Sequence, residues 1–111
     1  MTNNPNTKYT DLTQSQRLKK IGFEDMPDGW RDLETGKFYY DAEISEIKGI
    51  RFLVHSGPIN VIPAYRLDTL LGHVKYPAHE LQTALCRLDI VAAIAAAVDL
   101  IVLLKEVENH A

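Results

Sequence analysis

From Ile90 to Leu104 every residue except Asp99 is apolar, so a helix formed there has no polar face to turn toward water. Neither glycine nor proline interrupts the chain from Ala78 to Val107, and Pro77 is well placed to open a helix. The simplest reading is one continuous helix of about seven turns. Its first part is amphipathic, with Leu81, Leu85 and Leu88 on one face and Glu80, Gln82, Arg87 and Asp89 off it. The second part must be covered on all sides. A membrane span calls for about 20 apolar residues, more than this run supplies, and aspartates stand inside it and at its edge. Cover by a partner chain fits better. Ala92, Ala93, Ala95, Ala96 and Ala97 admit the close approach of another helix, while Ile90, Ile94, Val98 and Ile101 turn to the chain's own sheet. The expected oligomer interface is therefore Ala92, Ala93, Ala96 and Asp99. A buried aspartate is costly unless paired, so Asp99 meets Arg87 or Lys105 of an antiparallel neighbour or lies at a local surface.

What lies upstream is short and mixed. Residues 1–10 are polar and asparagine-rich, with too little apolar surface to offset the entropy of ordering them. They read as a disordered lead-in, without the basic start or apolar stretch of a secretory signal, and residues 11–111 as a single domain. Leu12, Leu18 and Ile21, closed by Gly22, suggest a short helix capped by Asp11 or Thr13. The run from Ile50 to His55, bounded by Ser56-Gly57-Pro58, is the clearest strand, and Ile59 to Ile62 is a further short one. Pro63 at a first helical position and Gly72 past the end bracket a second short helix over Ala64 to Leu71.

Between these elements, Met26-Pro27-Asp28-Gly29-Trp30 forms a turn, after which Trp30 to Leu33 meets Lys37 to Tyr40 across Glu34-Thr35-Gly36 as a β-hairpin. Pro27-x-Gly29-Trp30 followed by Gly36-Lys37-x-Tyr39-Tyr40 resembles the first hairpin of WW domains, which bind proline-rich peptides on an aromatic surface. The second tryptophan and closing proline of that family have no counterpart here, and Trp30 stands closer to Gly36, so the resemblance covers the hairpin alone. Alternation along a strand sends Tyr39 and Tyr40 to opposite faces, so one packs inward and the other is free to anchor a partner. Trp30, Tyr39 and Tyr40 are the candidate partner-binding residues.

Chemical motifs are sparse. The formal net charge of −3 arises beyond Tyr76, and the one basic cluster, Arg17, Lys19 and Lys20, reads as a solvated helix end rather than a nucleic-acid face. No phosphate-cradling glycine loop occurs. His79-Glu80-Leu81-Gln82-Thr83 begins like a zinc-protease helix, but Thr83 stands where the second histidine ligand belongs, and no metal or other cofactor is expected. The single cysteine, Cys86, reads as a buried structural thiol in a reducing cytoplasm. His55 leaves a strand end, where binding groups are often held; Arg51, Tyr65 and Arg66 join it around a small anion if the strand end meets the following helix.

The expected fold is α+β: a small antiparallel sheet of three to four strands packed on a long C-terminal helix, with two short helices. The expected function is that of a cytoplasmic, homo-oligomeric protein-interaction module, a regulator, inhibitor or assembly factor, with no enzymatic role. The alternative is an oligomer that sequesters a small anionic ligand through Arg51, His55, Tyr65 and Arg66.

Overall fold

The computed structural model describes residues 6–75 and 78–110. The elements run α1 (Leu12–Lys20), β1 (Gly29–Asp32), β2 (Phe38–Tyr40), β3 (Ile44–Ile47), β4 (Ile50–Leu53), β5 (Gly57–Pro58), β6 (Val61–Ala64), α2 (Leu67–Leu71), α3 (His79–Cys86) and α4 (Ile90–His110). The class is α+β, as the sequence indicates, but the strands form two three-stranded antiparallel sheets, ordered β2-β1-β6 and β3-β4-β5.

Helix α1 is closed at both ends by side-chain and main-chain caps. Asp11 accepts a hydrogen bond from the Gln14 N–H, and the Gln14 side chain returns one to the Asp11 N–H, forming a capping box. At the other end Gly22, at φ +80°, lets the Phe23 N–H reach the Leu18 carbonyl and its own N–H reach that of Lys19, a Schellman motif that brings Phe23 back onto Leu18.

In the first sheet the hairpin pairs Trp30 with Tyr39, and β6 pairs on the other side, with Pro63 opposite Trp30. Pro63 is thus a strand residue and not the start of a helix; on an edge strand its missing N–H leaves no ladder position empty. Helix α2 starts three residues later than the sequence suggests. Asp28 caps it from a distance, accepting from the Arg66 N–H at 2.9 Å and the Thr69 hydroxyl at 2.7 Å.

The apolar C-terminal segment departs most from expectation. It is two helices, broken at Leu88–Asp89. Leu88 takes φ +55°, its N–H reaching the Leu85 carbonyl and the Asp89 N–H reaching that of Ala84. That is a second Schellman motif, with leucine where glycine is usual. Asp89 then caps α4 through the Ala92 N–H at 3.0 Å. The break lets α3 fold back on α4, and α1 and α2 close over the same stripe. Leu18, Leu70, Leu81 and Ala84 form one core with Ala93, Ile94, Ala97, Val98 and Ile101. Much of the cover that the sequence assigns to a partner chain thus comes from the chain's own helices. Left-handed backbone at leucine costs about 1–2 kcal/mol; burial of Leu81 alone returns about 2 kcal/mol.

Residues 6–10 belong to the fold, while residues 1–5 of the expected lead-in lie outside the described residues. Thr10 is fully buried: its N–H donates to the Tyr65 carbonyl, and its hydroxyl accepts from the Tyr65 N–H and meets the Ser15 hydroxyl at 2.7 Å. Arg31, only 1% exposed, donates to the carbonyls of Thr10 at 2.9 Å and of Asn6 and Gly36 at 3.2 Å. Burial pulls its pKa below the usual arginine value, with the charge of Asp11 opposing.

Two outcomes test this account. Leu88→Gly removes the backbone strain and raises unfolding free energy by about 1 kcal/mol, whereas Leu88→Ala, which keeps a Cβ, does not; denaturant titration separates them. Arg31→Ala leaves three carbonyls without their donor, lowers stability by about 3 kcal/mol, and exposes the chain near Asn6 to proteolysis first.

Candidate functional site

Trp30 is not a surface anchor. It is buried, its indole N–H donates to Asp41 at 2.9 Å, and the Arg51 guanidinium lies over its ring at 4.7 Å. Because Arg51 sits on β4, Trp30 is a contact between the two sheets. Tyr39, directly opposite Trp30, is half-buried under Lys37. Tyr40 points the other way and is 56% exposed. It belongs to a ring cluster with Tyr9 and Phe38, whose centroids lie 4.3 to 6.4 Å apart. The cluster needs Gly29 beneath it, since a Cβ there would collide with the Phe38 ring. Tyr40 also lines a cleft of about 750 Å³ with Tyr9, Lys8 and Arg66, so residues assigned to separate candidate sites meet here.

The candidate anion site is correspondingly divided. His55 stands in the exposed turn between β4 and β5. Arg66 opens α2 and pairs with Asp68 at 3.5 Å. Tyr65 is buried with its ring against Phe23 at 4.9 Å. Burial first, then the charges of Asp25, Asp28 and Glu24, push its phenol above the usual value, so it stays a neutral hydrogen-bonding group. Arg51 and Tyr65 do share a small cavity of about 170 Å³, and its wall includes Lys19 from α1. Nothing in the sequence placed the end of α1 against β4.

The second sheet presents a surface the sequence reading missed. Lys48 and Gly49 both have positive φ, as a two-residue hairpin turn requires, and they fix Ile47 opposite Ile50. Ser45 then pairs with Phe52, and Phe52 with Pro58. Ile47, Ile50, Phe52 and Pro58 therefore share the face opposite the Arg51–Trp30 stack. No residue of β3, β4 or β5 is buried, and Ile47 and Ile50 are 60% and 54% exposed. The signal was present as isoleucines and a phenylalanine in alternation around Lys48-Gly49, a turn that went unrecognised.

On α4, Ala93 is buried in the chain's own core and so faces no partner, Ala96 is half-buried, and Ala92 is exposed. Asp99 lies exposed at a local surface, the second of the two expected settings, and pairs at 2.7 Å with Arg17 of the same chain. Beyond the core, Leu103, Leu104 and Val107 reach solvent, and a cleft of about 510 Å³ runs between this end of α4 and Ile21 and Phe23. Cys86 is exposed rather than buried. Among the described residues, no three histidine, cysteine, aspartate or glutamate side chains converge to hold a metal, and no helix is long and apolar enough to cross a membrane.

His73 closes the loop after α1: its ring nitrogen lies 2.8 Å from Asp25, and its ring packs on Phe23 at 4.5 Å. Comparison of the chain with protein-family models, with curated proteins and with solved structures finds no match.

The hydrogen bond from His73, then that from the Met26 N–H, hold the Asp25 carboxyl below its usual value. A carboxyl depressed in the folded state stabilises above its unfolded pKa of about 3.9 and loses that contribution as pH falls through the folded value. Asp25→Asn is therefore expected to melt below the parent at neutral pH, with the two curves converging below the carboxylate range; thermal melts across pH check this.

Proposed function

We propose that this chain is a protein-interaction module, a regulator, inhibitor or assembly factor, that docks a partner protein on the outward face of its second sheet. One observation carries the reading: β3, β4 and β5 hold no buried residue, yet they turn Ile47, Ile50, Phe52 and Pro58 together toward solvent. Single exposed apolar residues are ordinary, but a cluster on one rigid face is what a docking surface needs. The cluster contributes nothing to the core described above. Covering it with a partner recovers about 1.5–3 kcal/mol for each isoleucine fully buried. Tyr40, exposed at the end of the adjoining sheet, supplies an amphipathic ring of the kind that anchors interfaces. Self-association belongs to the same reading and rests on Leu103, Leu104 and Val107, the apolar end of α4 that the chain's own helices leave uncovered. A cytoplasmic setting fits the lone, exposed Cys86, which has no second cysteine to pair with.

The two surfaces are tested apart. The double variant Ile47→Asp, Ile50→Asp is expected to melt like the parent, because neither side chain is in the core, and to lose the protein that the parent captures from its native host. Retention of the same captured protein by the folded variant refutes the docking face. Light scattering at micromolar concentration is expected to give a mass above the monomer, falling to the monomer in Leu103→Glu, Val107→Glu; a monomeric parent refutes self-association through α4.

A further inference from the structure

We infer that the cleft between the last turn of α1 and the β4–β6 region binds a small organic anion, with Lys19 and Arg51 as its two cationic walls. It shares Ile50 and Pro58 with the edge of the docking face, but its two cations and Asn60 are not part of that face. A cleft of about 430 Å³ and the cavity of about 170 Å³ beside it share Lys19, Arg51 and Val61, and the larger volume is of the size that holds small ligands. Neither wall contains a carboxylate. Leu33, Pro58 and Val61 give the larger cleft an apolar side for a carbon skeleton, and Asn60 gives it an amide that can donate and accept.

The two cations are held differently, and both remain available. Arg51 lies over the Trp30 ring, 4.7 Å from its centroid, and the indole is itself fixed by its bond to Asp41 at 2.9 Å. The contact with the indole uses none of the guanidinium's N–H donors, so those that Glu46 does not meet can turn to an oxyanion. Glu46 approaches only one terminal nitrogen, at 3.3 Å, across an exposed strand pair. Lys19 makes no ion pair among the described residues. One effect opposes an anion here: the C-terminal end of α1 carries about half a negative charge. Its carbonyls are already partly occupied by the N–H groups of Ile21, Gly22 and Phe23, and two full positive charges outweigh the remainder. Arg51 thus keeps the role the sequence assigns it, whereas His55 and Arg66 give way to Lys19 as its neighbour.

Titration of the full chain with inorganic phosphate and, separately, with citrate at low ionic strength tests the inference, read by amide and indole NMR shifts. The expected result is saturable shifts centred on Lys19, Arg51, Asn60 and the Trp30 indole N–H. Lys19→Gln should weaken binding by about tenfold, the loss of one charge-assisted contact; Arg51→Gln should do at least as much, and Arg51→Lys should restore part of it. Lys20→Gln, whose residue lines neither cleft, should stay within about twofold of the parent. Tighter binding of phosphate assigns the site to phosphoryl compounds, and tighter binding of citrate to carboxylates. Shifts that fail to saturate, that centre on Lys8 and Arg66, or that survive unchanged in Lys19→Gln overturn the inference. Lys19→Gln decides alone if the Arg51 variants fail to fold, since Lys19 makes no ion pair there. None of these outcomes depends on Ile47, so failure here leaves the docking reading intact.

Discussion

A buried guanidinium with no carboxylate partner among the described residues is an unusual thing to build a fold around, and Arg31 is one. It sits on β1, the central strand of the first sheet, and spends its donors on three main-chain carbonyls, those of Asn6, Thr10 and Gly36. Left unpaired, such a charge would cost far more than the fold could spare. Three charge-assisted hydrogen bonds and the Phe38 ring at 5.2 Å offset that cost. The consequence spreads outward from Thr10. Thr10 holds Tyr65 and Ser15 in place, Ser15 sets where α1 lies, and Leu18 of α1 enters the core that covers α4. The apolar helix is thus covered partly because an arginine on a distant strand fixes residues 6–10.

That chain of dependence explains which parts of the fold were legible in the sequence. The α+β class, the Trp30–Tyr40 hairpin, the Asp11 cap and the helical character of the apolar run follow from local signals: turn residues, caps and periodicity. The break at Leu88 does not, because no glycine or proline marks it. A leucine is forced into left-handed backbone by the gain from laying α3 against α4, a tertiary effect that overrides local preference. Pro63 misled for the same reason: it suits a first helical turn and an edge strand equally, and only pairing with Trp30 decides. Residues 6–10 looked too polar to order because their partner, Arg31, is far away in sequence.

The candidate sites show the same division. Tyr40 and Arg51 are named from residue type and position alone, and the structure leaves one exposed and the other over a ring. Lys19 was set aside as a solvated helix end, which local charge patterning cannot distinguish from the wall of a cleft. Trp30, the largest ring in the chain, was read as an anchor for a partner. It is instead the anchor between sheets, a role that its indole N–H and its flat face perform together.

The register of the second sheet bears on why its apolar face looks outward. In a strand a slip of one residue exchanges the two faces completely. A slipped β4 would turn Ile50 and Phe52 toward Trp30 and send Arg51 to solvent, the arrangement that hydrophobic patterning alone would favour. The turn at Lys48-Gly49 prevents it, because two consecutive residues with positive φ close a two-residue loop and fix Ile47 opposite Ile50. Lys48 accepts an uncommon backbone conformation for a side chain with a Cβ in order to do so. The Ile59 N–H, bonded to the Arg51 carbonyl at 3.0 Å, holds the far side of β4 in the same register. Local backbone chemistry therefore keeps the arginine in and the isoleucines out, against the gain that burying them within the chain would bring. On the reading proposed above, a face maintained at that expense is the surface offered to another protein.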